Sequence, residues 1–226
     1  MCNIYYINKI KMIKIAPSIL AADLMNIKNE VQEVDKNGAE YIHIDIMDGH
    51  YVPNITFGPN LVNSLRSITN KILDVHLMIK PVAKYIDSFI EAGADIISFH
   101  PEADEKSKEI IQHIKSNNCK AGIAIHPNVM VSEIVEFLTD IDLVVVMTVV
   151  PGFGGQKFMS TQVNKITELK KIKSEKKLNF EIEIDGGINN DTAKICKESG
   201  ADVLVAGSYI FSSNKDNYKI KIDSLR

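Results

Sequence analysis

Eight short runs rich in Ile and Val recur along the chain, at residues 13–18, 41–45, 72–76, 95–99, 121–125, 143–147, 180–184 and 202–206. Each is followed by a stretch with helical spacing, so that successive runs lie roughly 20 to 30 residues apart, the cadence of βα units. The runs are nearly continuous in apolar character, most clearly at Val144-Val145-Val146. That pattern belongs to parallel strands covered on both faces. Eight units with no Pro/Ser-rich linker predict one closed α/β (β/α)8 barrel over residues 13–226, preceded by a short extension of residues 1–12. The rival doubly wound sheet would carry GxGxxG after its first strand, where this chain has Ile19-Leu20-Ala21.

The intervening helices are legible from their spacing and stops. Leu24, Ile27, Val31 and Val34 lie three or four apart, with Asp23 as a cap and Gly38 as a terminator. Residues 82–90 follow Pro81 and end at Gly93; residues 106–116, 131–138, 162–176 and 191–198 repeat the arrangement, with Gly200 closing the last. Residues 215–226 read as a closing helix, and the lysine-rich stretch 170–177 as a solvated outer face.

Composition narrows the partners. With 226 residues, 45% hydrophobic content and a formal charge of −3, the chain has material for a core and no basic field to attract a nucleic-acid backbone. Its longest apolar stretch, 143–147, falls far short of the roughly 20 residues of a membrane helix. Cys2, Cys119 and Cys196 are odd in number and widely spaced, which gives neither a disulfide framework nor a CxxC element. A soluble cytoplasmic protein is expected, with Cys119 and Cys196 as small buried apolar groups.

Barrel chemistry sits at the C-terminal ends of the strands. The polar residues there are Ser18, His43 with Asp45, His76, His100, His126, Thr148 and Asp185. His43 and Asp45 are two apart and share one face of their strand, with Ile42 and Ile44 on the other. Together with His76 and Asp185 they would bring two imidazoles and two carboxylates to one mouth. Such a set points to a metal or acid-base site and suits a borderline divalent cation such as Zn, Fe, Mn or Co. His100 and His126 read as hydrogen-bonded core or rim residues. Glycines follow the last three strands, in 151–156, 185–187 and 206–208, and free backbone N–H groups there would face an anion. A phosphorylated small molecule lying across the mouth from His43 and Asp45 is the expected ligand.

The segments IAPSILAAD (15–23), HIDIMDGHYVPN (43–54), HLMI (76–79), PGFGGQKF (151–158) and DGGI (185–188), taken in order, resemble the ribulose-phosphate 3-epimerase family over residues 13–212. The resemblance implies a phosphate-binding (β/α)8 barrel that interconverts D-ribulose 5-phosphate and D-xylulose 5-phosphate in the pentose phosphate pathway, and a homo-oligomer is expected. Carried over, His43, Asp45, His76 and Asp185 hold one divalent metal ion, and Asp45 and Asp185 are also the catalytic acid-base pair. Ser18 and His76 would contact the sugar. Gly152, Phe153, Gly154, Gly155, Gly186, Gly187, Gly207 and Ser208 would hold its phosphate end, and Met47, Met78 and Met147 would line the site. Val150 stands where the family usually has Asn, and Ile125-His126-Pro127-Asn128 replaces a more usual Lys/Asn-Pro-x-Thr. The same resemblance leaves an allulose-6-phosphate 3-epimerase as the near rival and a non-catalytic barrel as the remote one. Barrels that decarboxylate orotidine phosphate carry a lysine near strand three, where this chain has His76.

Overall fold

Each apolar run forms a strand in the computed structural model, which describes residues 12–226; the expected extension lies outside the described residues except for Met12. The strands are β1 (Lys14–Pro17), β2 (Tyr41–Met47), β3 (Ile72–Met78), β4 (Ile96–Phe99), β5 (Lys120–Ile125), β6 (Leu143–Met147), β7 (Glu181–Asp185) and β8 (Val203–Ala206). All pair in parallel in the order β1-β8-β7-β6-β5-β4-β3-β2. Closure between β1 and β2 comes from a parallel bridge of Ser18 to His43 and from the Glu40 N–H on the Ile15 carbonyl at 3.1 Å. The expected (β/α)8 barrel is therefore the observed architecture.

The helices are α1 (Ile27–Lys36), α2 (Pro59–Arg66), α3 (Ile86–Glu91), α4 (Ser107–Ser116), α5 (Val163–Glu175), α6 (Asn190–Ser199), α7 (Ser208–Phe211) and α8 (Tyr218–Ser224). Their apolar stripes cover the outward strand residues, including Ile42, Ile44, Val75, Val144, Val146 and Ile184, all fully buried. Among the described residues no helix is long and apolar enough to cross a membrane. Cys119 and Cys196 are buried free thiols, and burial pushes both up to about 12.

Two expected helices differ. Residues 131–138 form a 3-10 turn (Val131–Glu133) and further turns, with Ile134 N–H on Val131, Phe137 on Ile134 and Leu138 on Val135. Val131, Ile134 and Phe137 are buried and lie three apart, a spacing that the three-residue 3-10 repeat aligns on one side. Helix α3 starts only at Ile86, because the Tyr85 N–H closes a turn on Val82 and the Ala83 N–H is taken by Asp104.

The N-terminal rim is held by a fourfold clasp. Glu40, Asp95, Asp142 and Asp202 stand just before the even strands, and their carboxylates accept the N–H groups of Ile15, Leu73, Ala121 and Ile182 on the odd strands at 2.8, 2.8, 3.1 and 3.0 Å. The N–H of each acid donates back to the carbonyl of the same residue. A base from the helix that leads into each odd strand, or for β1 from the C-terminus, meets each acid: Arg226, Arg66, Lys115 and Lys173. Three of these acids follow Gly-Ala, an internal repeat that marks the quarter turns of the barrel. Lys14, Tyr41 and Glu181 plug the same end, with Lys14 Nζ and the Tyr41 hydroxyl both on the Glu181 carboxylate at 2.6 Å.

Removing one acid strands a buried N–H. Asp202→Ala is expected to cost about 1–3 kcal/mol in urea unfolding, the penalty of an unsatisfied buried donor. Asp202→Asn, which keeps an acceptor oxygen, should cost less, and neither change should alter events at the opposite end of the barrel.

Candidate active site

Inside the barrel the two-residue strand period collects polar groups. His43 and Asp45 project inward from β2, and in register beside them Asp74 and His76 project from β3, with His43 level with Asp74 and Asp45 level with His76. Across the interior Glu183 and Asp185 project from β7. His43, His76, Asp74 and Glu183 are fully buried, and Asp45 is 5% exposed.

Four of these side chains meet. His43 Nε2 lies 3.4 Å from Asp45 Oδ1 and 3.9 Å from Asp185 Oδ2, and His76 Nδ1 lies 3.6 Å from each of the same two oxygens. Four donors each about 2.0–2.2 Å from one cation stand about 3–4 Å apart, so the quartet could hold a metal ion. Its chemistry agrees: His43 Nε2 and His76 Nδ1 are buried without a hydrogen-bond partner. A lone pair facing two carboxylates would be a poor arrangement for any purpose except taking a proton or a cation.

The surroundings fix the ligands. His43 Nδ1 sits 2.6 Å from Asp74 Oδ2, so the carboxylate takes the ring's outer N–H. The other ring's outer nitrogen, His76 Nε2, lies 3.0 Å from His100 Nε2. Ser18 donates to Asp45 Oδ2 at 2.6 Å, leaving Oδ1 for the imidazoles. Thr56 Oγ1 donates to the Asp45 carbonyl and accepts from the Met47 N–H, pinning the end of β2. Thr148 holds the end of β7 through its N–H and hydroxyl on the Asp185 carbonyl.

Electrostatics follow from this crowding. Burial opposes charge on His43 and His76, but the facing carboxylates outweigh it and raise both rings, with Asp45 and Asp74 acting on His43 and Asp185 and Asp45 on His76. Asp45 is held well below the usual carboxylate range: burial would raise it, and the two imidazoles more than offset that. Burial, reinforced by Asp74, pushes Glu183 well above that range. Burial also brings His100 down to about 4.

Above the quartet opens a cavity of about 380 Å³. It is lined by Ser18, Asp45, Asp185, Met47, Met78, Met147, Gly152, Phe153, Gly154, Gly155, Gly186, Gly187, Gly207 and Ser208. All the expected site residues thus converge here except His43 and His76, which lie beneath its floor. His76, also expected at the sugar, turns its nitrogens to the carboxylates and to His100 instead. At Gly187, φ is +66° and a Cβ would stand 2.6 Å from Phe158 N, so only glycine fits this backbone. Val150 is half exposed, and the loop beside it is clamped by Gln156 Nε2 on the carbonyls of Val150 and Phe153, at 2.6 and 2.8 Å. The clamp uses backbone oxygens and does not require a polar side chain at 150.

Sequence reasoning missed Asp74 and Glu183, although each stands two residues before a named ligand and so shares its face. It also missed Leu20, Asn189, Tyr209 and Ser212 on the cavity wall. His126 lies toward the rim, 6.5 Å from the His100 ring.

The chain is similar to known proteins in sequence and in fold. A sequence model described as the ribulose-phosphate 3 epimerase family matches residues 14–211. A Bacillus subtilis protein named ribulose-phosphate 3-epimerase is 50% identical over 204 residues, covering 90% of this chain and 94% of its own. The Escherichia coli protein of the same name is 41% identical over 218 residues and 96% of each chain. Among solved structures, 3-keto-L-gulonate-6-phosphate decarboxylase from Vibrio cholerae is similar at TM-score 0.69 and 17% identity over 95% of each chain, a likeness that shows the fold alone. With that sequence match running from β1 to the end of α7 and extending through every strand that supplies the quartet, the chain belongs to the ribulose-phosphate 3-epimerase family.

Proposed function

We propose that this chain interconverts D-ribulose 5-phosphate and D-xylulose 5-phosphate, with one Zn, Fe, Mn or Co ion held by His43, Asp45, His76 and Asp185. The observation that carries the reading is that both carboxylates of the quartet also face the cavity, while both imidazoles are fully buried and do not line it. Such carboxylates can serve a cation and a substrate at once.

Epimerisation at carbon 3 removes a proton beside a ketone on one face and returns one to the other. A divalent cation bound at the quartet would supply charge stabilisation for the oxygens of the deprotonated sugar. Asp45 comes from β2 and Asp185 from β7, three places apart around the barrel, which suits a planar sugar with one carboxylate on each face. Ser18 keeps Asp45 oriented and stands at the cavity wall, where its hydroxyl can meet the sugar. Met47, Met78 and Met147 are almost wholly buried and present a wall with no exchangeable proton, which keeps reprotonation in the hands of the two acids. At the far side, the glycines of 152–155, 186, 187 and 207, with Ser208 opening α7, fit the phosphate end of the sugar, since the first turn of a helix leaves N–H groups unspent.

Three outcomes test this reading. Asp185→Asn keeps the shape and an oxygen but cannot relay a proton, so turnover in a coupled assay should fall about 10²–10⁴-fold; parental turnover would sink the two-acid mechanism. Protein stripped by a chelator should lose activity and regain it with Zn, Fe, Mn or Co better than with Mg, the hardest ion being a poor match to imidazole. Ser208→Asp places a negative charge on an exposed position at the mouth, and should raise KM for ribulose 5-phosphate by about tenfold or more, or about 1.4 kcal/mol, with little change in thermal stability. Assaying allulose 6-phosphate alongside decides between the two sugar lengths.

A further inference from the structure

The two imidazoles of the quartet turn opposite nitrogens inward, His43 through Nε2 and His76 through Nδ1. Their outward nitrogens meet chemically different partners, the carboxylate of Asp74 and the ring of His100. From this geometry we infer that His100 is a positioning residue, a neutral hydrogen-bond acceptor that holds His76 in the tautomer whose Nδ1 lone pair faces the cation. The inference rests on the reading of the quartet as a metal site.

Two imidazole nitrogens 3.0 Å apart require one proton between them: one ring donates and the other accepts. If His76 gives its Nδ1 lone pair to a cation, its proton is on Nε2. His100 Nε2 must then accept, and the proton of His100 is on Nδ1. That nitrogen has no hydrogen-bond partner, and the Oε1 of Glu102 lies 3.6 Å from it. Glu102 accepts the Tyr51 hydroxyl at 2.8 Å, and the Tyr51 ring packs on His100 at 4.8 Å between centroids. An acid at one end and the quartet at the other give the chain a single direction, from His76 to His100 to Glu102.

Packing alone does not explain this residue. His100 is fully buried at the end of β4, and an apolar ring would fill the space without burying two polar nitrogens. The arrangement also makes the two ligands unequal. Asp74, an anionic acceptor, strengthens His43 as a donor to a cation more than a neutral imidazole strengthens His76.

The test uses the full chain with Co²⁺ as the probe. Affinity is read by competition with a chromophoric chelator, geometry by the visible spectrum of the bound ion, and the tautomer of His76 by ring ¹⁵N NMR of the unmodified protein. His100→Gln keeps an acceptor oxygen near the position of Nε2, whereas His100→Leu removes it. The expected results are a loss of about 10–100-fold in Co²⁺ affinity with an altered spectrum for Leu, affinity within about threefold of the parent for Gln, and an Nε2–H on His76. Parental affinity and spectrum in His100→Leu would overturn the inference, as would equal losses in both variants. If His100→Leu does not fold, the Gln variant and the NMR signature decide, and His76 bound through Nε2 would overturn it. Failure of the unmodified protein to bind Co²⁺ would overturn the metal reading and this inference with it, whereas binding with no distinction between Leu and Gln overturns this inference alone.

Discussion

Asp45, Asp74, Glu183 and Asp185 are brought within one barrel interior beside the imidazoles of His43 and His76. Burying carboxylates is costly unless each finds a proton, a donor or a cation. The interior resolves the excess in layers. Glu183 is fully buried and is pushed toward its protonated form, Asp74 takes the N–H of His43, and Asp45 and Asp185 share the two imidazoles. On the proposed reading, a divalent cation completes the balance at the one level open to the cavity. The acid excess that makes the interior expensive is thus what makes it able to hold a cation.

This arrangement is tolerable because the opposite end of the barrel is built for stability. Four acids, four bases and four odd-strand residues repeat one motif around the N-terminal rim, so the strands are registered where no chemistry is needed. The C-terminal rim uses loops instead, held by hydrogen bonds that differ from one loop to the next: Thr56 on Asp45, Thr148 on Asp185, Asn54 on the Gly152 carbonyl and Gln156 on its own loop. Division of a barrel into a stabilising face and a working face follows from where strand ends present their side chains.

The mouth has its own constraint. Gly186 and Gly187 have positive φ, and side chains there would strike Val149 and Phe158, so the turn after β7 is set by sterics before any ligand arrives. The same turn brings Gly186 and Gly187 to the cavity wall. Steric necessity and anion binding therefore coincide at these positions, and the glycines by themselves do not separate the two.

The sequence alone determined the barrel, because eight apolar runs at a regular cadence admit few other architectures. It also pointed to the quartet, because His43 and Asp45 share a face at a spacing of two, His76 lies near the end of β3 and Asp185 ends β7. Other features were out of its reach. The spacing of Val131, Ile134 and Phe137 fits both an α-helix and a 3-10 turn, and only the folded chain shows which of the two forms. Asp74 and Glu183 were legible by the same period-two rule but were passed over, since a carboxylate in mid-strand has no visible partner until the strands are laid side by side. The opposed nitrogens of His43 and His76, and the placing of His100 against one of them, were decided by tertiary structure alone. Ring orientation depends on neighbours from β3, β4 and β7, which a linear pattern places many residues apart and only barrel closure brings within a hydrogen bond.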